Sequence, residues 1–139
     1  MVQLIVGKKG KGKTKQLLDK VNGEIKEASG SIVYLDKSAK HMYELNNKVR
    51  LVDVSQYMIT NSSEFIGFVS GVLSQDHDLQ QMYFDSFLKI ACLEEQDLEP
   101  VIKKLEKLSE NFEVDFILSI SLDEGELPAT LKDKIIVSL

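Results

Sequence analysis

Residues 2–14 read Val2-Gln3-Leu4-Ile5-Val6-Gly7-Lys8-Lys9-Gly10-Lys11-Gly12-Lys13-Thr14. Val2 to Val6 is a short apolar run of β-prone residues, and Thr14 to Ser29 carries a helical pattern. Between them Gly7, Gly12, Lys13 and Thr14 stand at the spacing G-x-x-x-x-G-K-[ST], that of a loop that cradles phosphate between a strand and a helix. With glycine at about 7% of average sequences, a chance match in a chain this long is on the order of 1%.

The residue types explain the chemistry. Gly7, Gly10 and Gly12 carry no side chain to block an approaching anion and tolerate positive φ, so successive backbone N–H groups can turn inward. The loop runs into a helix N-terminus, where unpaired N–H groups and the helix dipole favour negative charge. Lys13 is placed to reach β- and γ-phosphates, and the Thr14 hydroxyl to bind Mg²⁺. Lys8, Lys9, Lys11 and Lys15 lie in or beside the loop, where a polyphosphate would offset their mutual repulsion; Lys8, Lys9 and Lys11, at variable positions of the pattern, also suit a simply solvated role.

Outward from the loop, strands and helices alternate. Ser31 to Leu35 reads as a strand ending at Asp36, His41 to Asn47 as a short helix, and Val49 to Val54 as a strand. Asn61 with Glu64 forms a capping box ahead of a helix that buries Phe65, Ile66, Val69, Val72 and Leu73, and Asp76-His77-Asp78, which ends it, reads as a polar turn in preference to a metal site. Leu79 to Leu93 fits a strand to Asp85 followed by a short helix, although its apolar residues also fit a helical stripe. Leu98 to Leu108 is amphipathic with Pro100 in its first turn. Val114 to Leu122 is a buried strand, Asp123 to Leu127 an acidic loop, and Lys134 to Leu139 a last strand. This order predicts one α/β domain over residues 1–139, a three-layer α/β/α sandwich with a mostly parallel sheet. Ligands on such sheets sit at the carboxyl ends of the strands.

A phosphate loop of this kind pairs with an acidic residue after an apolar strand, which helps hold Mg²⁺. Asp85, after Met82-Tyr83-Phe84, is the preferred choice; Asp53 and Asp36 compete, and Asp36 could instead polarise water or a substrate hydroxyl. Lys13 and Asp85 are thus the expected catalytic groups, and Thr14 and Asp85 the expected metal ligands. Ser119 and Ser121, at the end of their strand, either sense the γ-phosphate or bond the backbone of their own sheet. His41 and His77 fit no ligand pattern, and Cys92, the only cysteine, reads as a small buried hydrophobe.

Other features limit the chemistry. The residue after Asp85 is Ser86, where many hydrolysing enzymes place a glutamate, and Glu94 and Glu95 cannot be positioned from sequence. Arg50 is the only arginine, so transition-state charge would call for an arginine from a protein partner or second subunit. The scarcity of arginine also disfavours a small-molecule kinase. The guanine-specifying N/T-K-x-D pattern is missing, which leaves ATP as the default nucleotide.

Net charge is −5, yet residues 1–50 carry +6 and residues 76–126 carry −10. The basic end coincides with the phosphate loop, so no nucleic-acid partner is needed to explain it. No apolar run is long enough to span a membrane, and the lone cysteine and lack of an export signal predict a cytoplasmic protein.

Through Gly7 to Thr14, and through Asp85, the chain resembles the P-loop NTPase superfamily, and the match in fold would cover essentially its whole length. More narrowly it resembles short stand-alone ATP-binding proteins of clostridia-like bacteria, some of which carry a label borrowed from the PilT twitching-motility ATPases. The resemblance implies ATP and Mg²⁺ binding at Lys13 and Thr14. It does not extend to the motors' activity, because their second domain, further acidic and histidine-bearing motifs and catalytic arginines have no counterpart here. The expectation is an ATP-binding protein with weak or partner-dependent ATPase activity; the alternative is a non-catalytic module that senses nucleotide and switches a protein interaction.

Overall fold

The computed structural model describes residues 1–139. Its strands are β1 (Val2–Val6), β2 (Ser31–Asp36), β3 (Arg50–Asp53), β4 (Leu79–Phe84), β5 (Asp115–Ile120) and β6 (Ile135–Ser138). Helices α1 (Lys13–Glu24), α2 (Ser62–Gln75), α3 (Phe87–Ile90) and α4 (Glu99–Phe112) connect or follow them. The strands form one sheet in the order β3-β2-β4-β5-β1-β6, and every pairing is parallel. The expected sheet is therefore parallel throughout.

The side-chain period of two along a strand divides the core into two halves. Leu4, Val33, Leu35, Met82, Phe84, Phe116 and Leu118 point to one face and pack with α2, α3 and α4. Ile5, Ile32, Tyr34, Tyr83 and Ile117 point to the other, against Leu17, Leu18 and Val21 of α1. Both faces are covered, which is why the central strands read as nearly unbroken apolar runs. The same parity continues past the strand ends. Asp36 follows Tyr34, Asp85 follows Tyr83 and Ser119 follows Ile117, so all three belong to the α1 face at the carboxyl edge.

Several elements differ from expectation. Helix α1 ends at Glu24, not Ser29, because its apolar stripe ends at Ile25, the C-cap. The segment expected to be a helix from His41 forms only a single 3-10 turn, Met42–Glu44. Here the Asn22 amide donates to the Glu44 carbonyl at 2.8 Å and accepts from the Asn46 N–H at 2.8 Å, taking up the backbone groups a longer helix would need. At α2 the Asn61 side chain accepts from the Glu64 N–H at 2.8 Å, as a cap should. The Glu64 carboxylate, however, reaches back one residue further, to the Thr60 N–H at 2.6 Å and hydroxyl at 2.7 Å. The strand-then-helix reading of Leu79 to Leu93 holds, with β4 ending at Phe84 and α3 starting at Phe87. No helix is long and apolar enough to cross a membrane.

Candidate functional site

The glycine loop leaves β1, which lies between β5 and the edge strand β6, and enters α1 through Gly12, whose φ of 95° and ψ of 23° lie in the left-handed region. Gly10, at φ 87°, is also left-handed. A side chain would strain both positions, so glycine is a backbone requirement at Gly12, a fixed position of the pattern, and equally at Gly10, a variable one. Gly7 donates its N–H to the Leu122 carbonyl at 2.8 Å, which ties the loop to the segment after β5.

Lys13 is only 8% exposed, and its ammonium donates to the Lys8 carbonyl at 3.1 Å, so it lies across the loop that it follows. Burial lowers its pKa, and the nearby Asp85 carboxylate opposes that effect. The Thr14 hydroxyl donates to Asp85 Oδ1 at 3.2 Å, joining residues 71 apart in the chain. Asp85 is 2% exposed and collects further donors: the Ser119 hydroxyl at 2.9 Å and the Ser86 N–H at 2.9 Å on Oδ1, and the Tyr34 phenol at 2.8 Å on Oδ2. The Ser86 N–H is also 3.0 Å from the Ser119 hydroxyl oxygen, and Ser86 holds a left-handed φ of 53°. Strained backbone of this kind persists where the surroundings over-determine it. Tyr34 stacks on Tyr83 with ring centroids 6.2 Å apart, and its phenol pKa is raised, first by burial and then by Asp85. Tyr34 is therefore a fixed neutral donor.

Of the three competing carboxylates, Asp85 is the one in contact with Thr14. Asp53 lies on the edge strand β3 and turns its carboxylate onto the Ser55 N–H at 3.0 Å and hydroxyl at 2.6 Å. Asp36 lies beside the site, 1% exposed. Its Oδ1 accepts from the Lys37 N–H at 2.7 Å, and its Oδ2 is buried with no partner. Burial and then the Asp85 carboxylate push its pKa up to about 6, against a smaller pull downward from Lys37 and His41. Folding therefore costs more once Asp36 ionises: the native state holds this proton until about pH 6, the unfolded chain only to about pH 4. A displacement of about two pH units is worth roughly 3 kcal/mol. Asp36→Asn is expected to leave stability unchanged below about pH 4 and to raise it by up to about 3 kcal/mol at pH 8. Urea denaturation at the two pH values checks this.

A cleft of about 690 Å³ opens over these groups, lined by Lys9, Gly10, Gly12, Lys13, Thr14, Asp85, Ser119 and Ser121. Gly7, Lys8, Lys11 and Lys15, also expected at the site, do not line it. Lys8 approaches Asp123 at 3.6 Å and Glu126 at 4.0 Å, within the acidic segment after β5, while Lys15 pairs with Asp19 at 3.4 Å along α1. Sequence reasoning missed Lys37, Lys40 and Lys89, which line the cleft from other loops, and could not place Glu94 and Glu95, which line it as well. It also missed His41, which stands five residues beyond Asp36 and comes together with Asp36 and Asp85, one ligand atom of each lying within 4.8 Å of the others. Ser119 does not bond its own sheet's backbone: its hydroxyl goes to Asp85. Arg50 lies at the opposite end of the sheet, at the start of β3, 3.6 Å from Asp76. Asp76 also accepts from the Ser31 hydroxyl at 3.3 Å and the Asp78 N–H at 3.1 Å, as expected of a polar turn. Cys92, half-buried at φ 59°, donates weakly to the Ile59 carbonyl at 3.8 Å.

No protein-family model matches the chain, and no curated protein sequence matches it.

Proposed function

We propose that the chain is a P-loop nucleotide-binding protein that takes ATP with Mg²⁺ and hydrolyses it weakly or only with a partner. The observation that carries this reading is the contact between the Thr14 hydroxyl and the Asp85 carboxylate at 3.2 Å, at the foot of the glycine loop. A hydroxyl and a carboxylate side by side form an oxygen donor set that suits Mg²⁺. Bound there, Mg²⁺ would neutralise phosphate charge. Loop N–H groups and the α1 N-terminus would hold the phosphates, and Lys13 would bring a cation against them. Lys9, Lys37, Lys40 and Lys89 around the cleft favour an anionic ligand. Ser119, bonded to Asp85 and reaching the cleft from the strand beside β1, is the group suited to report the state of the γ-phosphate.

Two observations bear on turnover. Glu94 and Glu95 line the cleft, so carboxylates are present there although position 86 is serine. Arg50, the chain's only arginine, is at the far end of the sheet, so a cationic finger would have to come from a partner. The second favours the non-catalytic alternative, a module that reads nucleotide and switches a protein interaction.

Calorimetric titration with ATP, with and without Mg²⁺, tests the reading. The wild type is expected to bind ATP more tightly with Mg²⁺ present. Asp85→Asn and Thr14→Ala are each expected to cut the Mg²⁺-dependent part of the affinity by roughly tenfold or more. An affinity indifferent to both substitutions would remove the site. Binding without phosphate release, alone or with interacting proteins, would leave the switch reading in place of the ATPase.

A further inference from the structure

The group of Asp36, His41 and Asp85 has no role in the reading above beyond the contact of Asp85 with Thr14. Its members come from three places: the end of β2, the turn five residues later and the end of β4. Asp36 Oδ2 is buried without a hydrogen-bond partner, in a carboxyl group only 1% exposed. An acceptor left bare in a protein interior is costly, and two neighbouring buried carboxylates add repulsion. A cation between them would relieve both.

The imidazole of His41 is already oriented. Its Nδ1 lies 2.8 Å from Glu44 Oε2, three residues on. A carboxylate on one ring nitrogen fixes the tautomer and turns the other nitrogen outward as a metal ligand. The two oxygens of Asp85 are held by different partners: Oδ1 takes Thr14, Ser119 and Ser86, whereas Oδ2 accepts only from Tyr34 on β2, the strand that carries Asp36.

From this geometry we infer a second cation site, formed by the carboxylates of Asp36 and Asp85 and the imidazole of His41, that takes a divalent first-row transition ion without needing nucleotide. Two carboxylates and one imidazole suit such an ion better than Mg²⁺, which prefers oxygen alone. Asp85 would then bridge two ions, one on the Thr14 side and one on the Asp36 side.

Co²⁺ serves as the probe, because its visible spectrum reports nitrogen and oxygen coordination and calorimetry counts the ions. The nucleotide-free full chain is expected to take up one Co²⁺ with a change in its d–d bands. Asp36→Asn and His41→Ala are each expected to lower the affinity at least tenfold. His77→Ala, in the turn at the other end of β4, leaves it unchanged. Circular dichroism confirms that each variant is folded, and because His41 is on a turn at the surface, its replacement keeps the test valid should Asp36→Asn misfold. The absence of saturable uptake, or uptake that survives both substitutions, overturns the site. Uptake that vanishes in Thr14→Ala but persists in the other two would assign the ion to the phosphate loop and also overturn it. Cobalt uptake without ATP binding would overturn the nucleotide reading alone, and ATP binding without cobalt uptake would overturn this site alone.

Discussion

Lys13→Ala is expected to weaken the binding of ATP with Mg²⁺ by roughly 30- to 3,000-fold while leaving the protein folded. Lys13 follows the glycine loop directly, is 8% exposed, and donates to the Lys8 carbonyl, so its ammonium is held over the loop before any ligand arrives. Deleting a preorganised, largely desolvated cation that faces phosphate costs about 2–5 kcal/mol, and each 1.4 kcal/mol is tenfold in affinity. Two of its neighbours along the chain are engaged elsewhere: Lys8 is drawn to Asp123 and Glu126, and Lys15 pairs along α1. Lys15→Ala, the matched control, is expected to change affinity by less than about threefold, in keeping with the small value of exposed ion pairs. Titration of both variants, with thermal melts to confirm folding, decides the matter. Unchanged affinity in a folded Lys13→Ala protein would remove the phosphate-loop assignment.

Gly30→Ala is expected to be the most damaging small substitution for the fold. A Cβ at Gly30 would lie 2.0 Å from the Asp78 carbonyl oxygen, 3.2 Å from its carbon and 3.0 Å from Gln80 Cγ. The obstacle is backbone, and that carbonyl accepts the Ser31 N–H at 2.8 Å, where β2 begins to pair with β4. Relief would require moving β4 away from β2 and stretching that hydrogen bond. Overpacking of this severity costs about 3 kcal/mol, which for a chain of this size lowers the melting temperature by roughly 10 °C. Gly67→Ala provides the contrast. Gly67 is exposed within α2 with nothing within 4 Å of an added Cβ, so the substitution is expected to stabilise by about 0.5–1 kcal/mol. A Gly30→Ala melt within 2 °C of wild type would refute the close approach.

The strands were legible because each is a short β-prone run bounded by glycine, charge or a turn, and because local alternation needs no knowledge of partners. Helix α4 was legible for the same reason, with Leu98, Val101, Ile102 and Leu105 repeating on one face. The His41 segment was misread because its local pattern is helical, whereas the side chain of Asn22, 22 and 24 residues before its partners Glu44 and Asn46, supplies the competing hydrogen bonds. Helix α1 was read five residues too long because propensity continues past the point where the apolar stripe ends. Lys37, Lys40 and Lys89 could not be assigned to the cleft, because nothing in a lysine's neighbours along the chain tells which loop will face which.

What the amino-acid order carried by itself is the α/β alternation and the loop pattern of Gly7 to Thr14 on which the proposed ligand class rests, since both depend on spacing over a few residues. The choice of Asp85 over Asp36 and Asp53 as the partner of Thr14 belonged to the tertiary structure. Strand order decides it: β4 is separated from β1 by β5 alone, whereas β2 and then β3 lie further out. The company of Asp36, His41 and Asp85 was likewise invisible in the sequence. Three short-range readings place each residue at the end of its own element. Only the packing of β2 beside β4, with the period of two turning Asp36 and Asp85 to the same face, brings their charges within reach of one another.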